Sequence, residues 1–142
     1  RDKVKEWAMA SGGMLQVATD NGQRDFERWD TIVGDVQLLE KVQWAHLKTA
    51  KRAVEKVYRS YDCDVSRLLD CCRQSIYFED LGSLLAAFRA MSTDAEAQIM
   101  RVNNKLRYDY PSDISAGYRD LMVNLRIDTA DTRRLFLDTH IC

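Results

Sequence analysis

Apolar and polar positions alternate most cleanly at residues 119–127, where Leu121, Val123, Leu125 and Ile127 fall on one side and Asp120, Met122, Asn124 and Arg126 on the other. A period of two predicts a strand with one buried face. Shorter β-branched or aromatic runs predict three more strands, at 73–78 (RQSIYF), 99–106 (IMRVNNKL) and 135–142. Elsewhere the spacing is helical. Residues 3–18 carry it with an interruption at Gly12-Gly13. Residues 23–44 carry it through Phe26, Trp29, Val33, Val36, Leu39, Leu38 and Val42, with a bend at Gly34. Residues 45–59 repeat it through Leu47, Ala50, Val54 and Val57, and 64–72 predicts a short helix capped by Asp64. "EDLGSLLAAFRAM" places acids at the positive end of a helix and Leu81, Leu84, Leu85 and Phe88 on its expected buried face.

This order predicts an α+β, two-layer chain: a helical N-terminal region over 1–45, then a domain over 46–142 with a mixed sheet of about four strands and one crossing helix. The chain begins without methionine and ends inside the fourth predicted strand, so the second domain reads as truncated at its C-terminus.

Composition narrows the function classes. The 142 residues carry 21 Lys+Arg and 22 Asp+Glu, a formal charge of −1, so no overall basic field calls for nucleic acid and any anion site must be local. No run approaches the roughly 18 apolar residues of a membrane helix, and RDKVKEW lacks the apolar centre of a signal peptide, so the expectation is a cytoplasmic chain without a membrane partner. Cys63, Cys71, Cys72 and Cys142 show no paired Cys-x-x-Cys or Cys/His spacing, which makes buried reduced thiols the expected state.

Three places carry candidate chemistry. In "HLKTAKRAVEKVYR", Lys48, Arg52 and Lys56 recur every fourth residue and would line one helical face, able to converge on a polyphosphate or simply to be solvated. In "RLLDCCRQSIYF", Asp70 and Arg73 meet at a helix-to-strand junction. Such a carboxylate can hold Mg²⁺ together with substrate phosphates, or the two residues can form a structural ion pair. In "SAGYRDL", Gly117 frees the backbone just before Tyr118, whose ring would then serve as a base-stacking platform or as a core-edge residue. Lys105 and Arg107 would lie near that ring if the strands on either side pair.

The order of these pieces, K-T-x-x-R-x-x-x-K, an Asp then Arg at a junction, a crossing helix, "RVNNKL", "GYRDLMVNLRI" and a strand ending in "HIC", resembles the RelA/SpoT-like nucleotidyltransferase domain over about 46–142. That family transfers pyrophosphate from ATP to the 3′ hydroxyl of GDP or GTP to make an alarmone. The resemblance implies a nucleotidyltransferase-like fold, Mg²⁺ held by Asp70, ATP held by Lys48, Arg52, Lys56 and Arg73, and the acceptor guanine nucleotide held by Tyr118 and Lys105. The family's general-base glutamate would fall after Cys142. His46 stands in place of an adenine-stacking arginine, Ala116 in place of an asparagine, and Asp120 and Met122 in place of a serine and a histidine, while the short Asp70-to-Arg73 spacing and Gly-Tyr-Arg-Asp resemble divergent eukaryotic members. These replacements imply impaired catalysis. They also leave open a degenerate domain that serves as a structural or protein-interaction module, docking partners through the N-terminal helices and their aromatics Trp7, Phe26, Trp29 and Trp44.

Overall fold

A computed structural model describes residues 1–68, 72–134 and 139–141. The chain forms two compact units, one of Arg1–Leu47 with Cys72–Asp94 and the other of Lys48–Cys71 with Ala95–Cys142. Both mix helices with small sheets, so the α+β class holds.

In the first unit, helix α1 (Asp2–Ser11) ends at Gly12, whose left-handed φ of 67° closes the last turn by donating to Ala8 O. Strand β1 (Met14–Ala18) follows and pairs antiparallel with β2 (Arg24–Arg28) from Met14 opposite Arg28 to Ala18 opposite Arg24. Both strands replace expected helix. The overlooked signal was local: MLQVA alternates, with Leu15 and Val17 buried, and Asn21-Gly22 is a hairpin turn sequence. Helices α2 (Trp29–Val33) and α3 (Val36–Lys41) divide at Gly34, where Asp35 caps α3 by accepting from the backbone N–H groups of Gln37 and Leu38.

The interior of this unit is Ala8, Leu15, Val17, Trp29, Ile32 and Val42, with Val4, Leu38, Trp44 and Ile76 packed against it. The aromatics expected to face partners are largely spent here: Trp7 and Trp29 are buried, and Trp44 is half-buried, meeting Trp29 edge-on and carrying Arg1 and Lys5 over its ring. Phe26 remains partly exposed, against the ring of Tyr77.

The segment 73–78 is extended but is not a strand of a four-stranded sheet. Its one ladder contact is the exchange of backbone hydrogen bonds between Tyr77 and Met14, which sets it beside β1. Helix α5 (Leu81–Thr93) forms where expected, with the Asp80 carboxylate accepting from Ser83 N and Ser83 Oγ. Its buried face is rotated from the expected one. Ala87 is buried, Leu84 and Phe88 are half-buried, and Leu81 and Leu85 are exposed. Helix α5 packs against α1, and Asp94 just beyond it accepts from the indole N–H of Trp7 at 3.0 Å and pairs with Lys3 at 3.2 Å.

In the second unit, helix α4 (Ala50–Ser60) is capped by Thr49, whose Oγ1 accepts from Arg52 N. The expected helix from Asp64 reduces, among the described residues, to a single 3₁₀ turn, Val65–Arg67. Strands β3 (Ala97–Asn104), β4 (Leu121–Ile127) and β5 (Thr139–Ile141) form one sheet in that order. A short helix, α6 (Ala130–Arg134), lies in the connection to β5. Every described strand pair is antiparallel, which corrects the expected mixed sheet. The alternation of β4 is as predicted: Leu125 is buried, Leu121, Val123 and Ile127 are half-buried, and Met122 and Arg126 are exposed. Cys63 is exposed and Cys72 half-buried, so the expected burial of thiols fails for these two; Cys71 and Cys142 lie outside the described residues. Among the described residues no helix is long and apolar enough to cross a membrane.

Candidate functional site

The site builds up from the hairpin loop between β3 and β4. Lys105 N donates to Asp120 O at 2.9 Å and closes the base of the loop one pair beyond Asn104 and Leu121. Inside the loop, a 3₁₀ turn at Ser112–Ser115 leads into two successive left-handed residues, Ala116 at φ 52° and Gly117 at φ 84°. Left-handed backbone costs an ordinary residue about 1–2 kcal/mol and glycine almost nothing, so Gly117 suits its place and Ala116 carries strain. The turn is braced on both sides. Tyr118 N donates to Ser115 O, and Ser115 Oγ donates to Tyr118 O at 2.6 Å. The Arg119 guanidinium donates to the carbonyls of Arg107 and Tyr110.

This bracing presents Tyr118 with 63% of its surface exposed, an aromatic face at the mouth of β4 rather than an edge of the core. The Lys105 ammonium lies 5.7 Å from the ring centroid, so the fold brings together the two residues predicted for the acceptor nucleotide. It also adds a third. Lys105 Nζ is 3.0 Å from Asp120 Oδ1, with both side chains partly shielded from water. The Asp120 carboxylate raises Lys105 above its usual range, against the opposing effect of desolvation. Sequence reasoning marked Asp120 only as a replacement. Its position one step beyond the last cross-strand pair, opposite Lys105, is the signal that was available. Arg107 pairs with Asp109 at 3.2 Å, so Lys105, Arg107 and Arg119 each meet an acceptor of the protein itself.

The basic segment divides at the cap. Lys48 precedes Thr49 and lies outside α4, so of the three expected on one helical face only Arg52 and Lys56 are helical. Arg52 is exposed. Lys56 is half-buried and lies 5.2 Å from the ring centroid of Tyr61, which Arg67 also approaches at 5.6 Å. Tyr61 is an unforeseen partner, five residues beyond Lys56. Arg73 is exposed and belongs to the first unit, as does His46. Asp70, the predicted magnesium ligand, lies outside the described residues. Among the described residues, no three His, Cys, Asp or Glu side chains stand close enough to hold a metal ion together. No protein-family profile, curated protein or solved structure matches this chain.

Proposed function

We propose that the second unit binds a guanine nucleotide on Tyr118 and belongs to a RelA/SpoT-like, nucleotidyltransferase-type domain with weak or no turnover. The observation that carries this reading is the exposed Tyr118 ring, held by a braced left-handed turn beside the Lys105 ammonium. Stacking a base on such a ring contributes about 1–3 kcal/mol whatever the base. The family assignment rests on the order of the motifs from Lys48 to the "HIC" strand. In it, Lys48, Arg52 and Lys56 would neutralise ATP phosphates, and Mg²⁺, held by Asp70 and the phosphates, would supply the remaining charge stabilisation. Calorimetry of the chain with GDP and with ATP, each with Mg²⁺, tests it. GDP should bind, and Tyr118→Ala should weaken it about 5- to 150-fold, the equivalent of the stacking energy. Absence of binding by both nucleotides would overturn the reading.

A second reading, a degenerate domain that works as a protein-interaction module, is favoured by one observation. Met100, Val102 and Met122 on β3 and β4 are more than 40% exposed, with Val102 on the face of Val123 and Met122 on the opposite face, so each face of the sheet in the second unit keeps some apolar surface. Under this reading Lys48→Ala and Tyr118→Ala leave assembly with a protein partner intact, and its loss in those variants would refute it.

A further inference from the structure

We propose that helix α4 docks the second unit on an anionic lipid surface. Only one side of α4 faces its own unit: Val57 is buried and Ala53, one turn earlier, is half-buried. The rest of the helix is exposed and of mixed chemistry. Val54 and Tyr58, four residues apart and so on one stripe, keep 54% and 69% of their surface, and Lys51 continues that stripe one turn earlier. Arg52 and Arg59, seven residues apart, form a second exposed stripe farther round the helix. Among the described residues, no carboxylate pairs with Lys51, Arg52 or Arg59, and no helix or strand of the second unit lies along α4 as α5 lies along α1. From Lys48 to Arg59 the chain holds five cations and a single acid, Glu55, although its overall formal charge is −1.

A helix that lies on a bilayer needs exposed apolar side chains beside solvated cations and little hydrophobicity overall. Anionic headgroups attract each Lys or Arg at the surface, while Val54 and the Tyr58 ring enter the boundary between headgroups and acyl chains, where a tyrosine keeps its ring dry and its hydroxyl wet. A nucleic acid would meet the same cations and gain nothing from Val54. A protein groove that holds a helix encloses more of its circumference than α4 has to offer, because Ala53 and Val57 are committed inward. A flat surface needs only the exposed side. The expectation of no membrane partner came from the want of a long apolar run, which tests for helices that cross a bilayer and not for helices that lie on one. Lys51, Val54, Tyr58 and Arg59 have no part in the nucleotide reading, so the two stand or fall separately.

Sedimentation of the chain with vesicles of phosphatidylcholine, alone or with phosphatidylserine as about one third of the lipid, tests this. The mixed vesicles should bind the chain and the neutral ones should not, and raising salt from about 0.1 M to about 0.5 M should weaken the binding. Lys51→Gln with Arg59→Gln should weaken it about 30-fold, the equivalent of about 1 kcal/mol per cation. Val54→Ser with Tyr58→Ser should weaken it about tenfold while leaving its salt dependence in place. No binding to the mixed vesicles, equal binding to the neutral ones, or binding that both double variants leave unchanged would overturn the proposal. Equal affinity for polyuridylate, with Val54→Ser and Tyr58→Ser without effect on either ligand, would overturn it in favour of a plain polyanion site. All four positions are exposed, and circular dichroism checks that the variants fold. Should one not fold, the lipid-charge dependence of the unaltered chain and slowed amide exchange of Ala50–Ser60 on the mixed vesicles still decide.

Discussion

Gly13 and Ile76 pack so closely that a Cβ on Gly13 would lie 2.4 Å from Ile76 Cγ2, and 3.2 Å from both the Ala8 backbone and the Phe78 ring. The glycine pair that interrupts the first helical pattern therefore has two separate tasks. Gly12 ends α1, and Gly13 lets the 73–78 segment close over the start of β1. Gly13→Ala must displace either Ile76 or the backbone of α1, and overpacking of this kind costs about 1–3 kcal/mol. Chemical denaturation should show that loss, and Ile76→Ala, which removes Cγ2, should cost less in the Gly13→Ala background than in the unaltered chain. An unchanged midpoint for Gly13→Ala would contradict the contact.

The Trp7 indole is 4% exposed and donates to Asp94. Asp94→Ala would leave that buried N–H without its carboxylate partner, at about 1–3 kcal/mol. Trp7→Phe removes the donor, so the double variant should lose less than the sum of the two single ones. A double-mutant cycle measured by urea unfolding reads this coupling directly.

The turn before Tyr118 predicts opposite signs at adjacent positions. Gly117→Ala places a side chain at φ 84° and should destabilise by about 1–2 kcal/mol even though nothing lies within 4 Å of the new Cβ. Ala116→Gly relieves φ 52° and should be neutral or stabilising by up to about 1 kcal/mol, after the entropy glycine adds to the unfolded chain. If nucleotide binding depends on the turn, Gly117→Ala should also weaken GDP binding.

Asp20, Asp30 and Asp80 all sit below the ordinary carboxylate value of 3.8, held there first by hydrogen bonds from Lys41, Arg28 and Ser83 respectively. A depressed folded value means these groups contribute stability above about 3.8 that disappears as pH falls through their lower folded values. Lys105 has the opposite sign. Its raised value gives stability that is complete below 10.5 and is lost as pH climbs through the folded value. Thermal melting should accordingly fall off at both ends. Asp80→Asn, which keeps a capping oxygen, should reduce the acid slope, and Asp120→Asn should reduce the alkaline one.

The amino-acid sequence alone determined the elements whose local rules agree with one another. Strand β4 follows its alternation, α5 begins at an aspartate cap, and the backbone opens at Gly117 before Tyr118. In each, the side-chain period or turn chemistry is satisfied within a few residues, so no distant contact is needed to choose the conformation. Tertiary structure decided the rest. The segments 14–18 and 24–28 fit helical spacing on paper. The alternation of MLQVA and the Asn21-Gly22 turn favoured strands locally, and the competition was decided by pairing across that turn, which buries Leu15 and Val17 against Trp29 and Ile32. The same holds at the site. That Tyr118 could face a ligand was legible from its glycine, whereas the binding of Lys105 to Asp120 depended on a cross-strand register that brings residues fifteen apart within 3.0 Å.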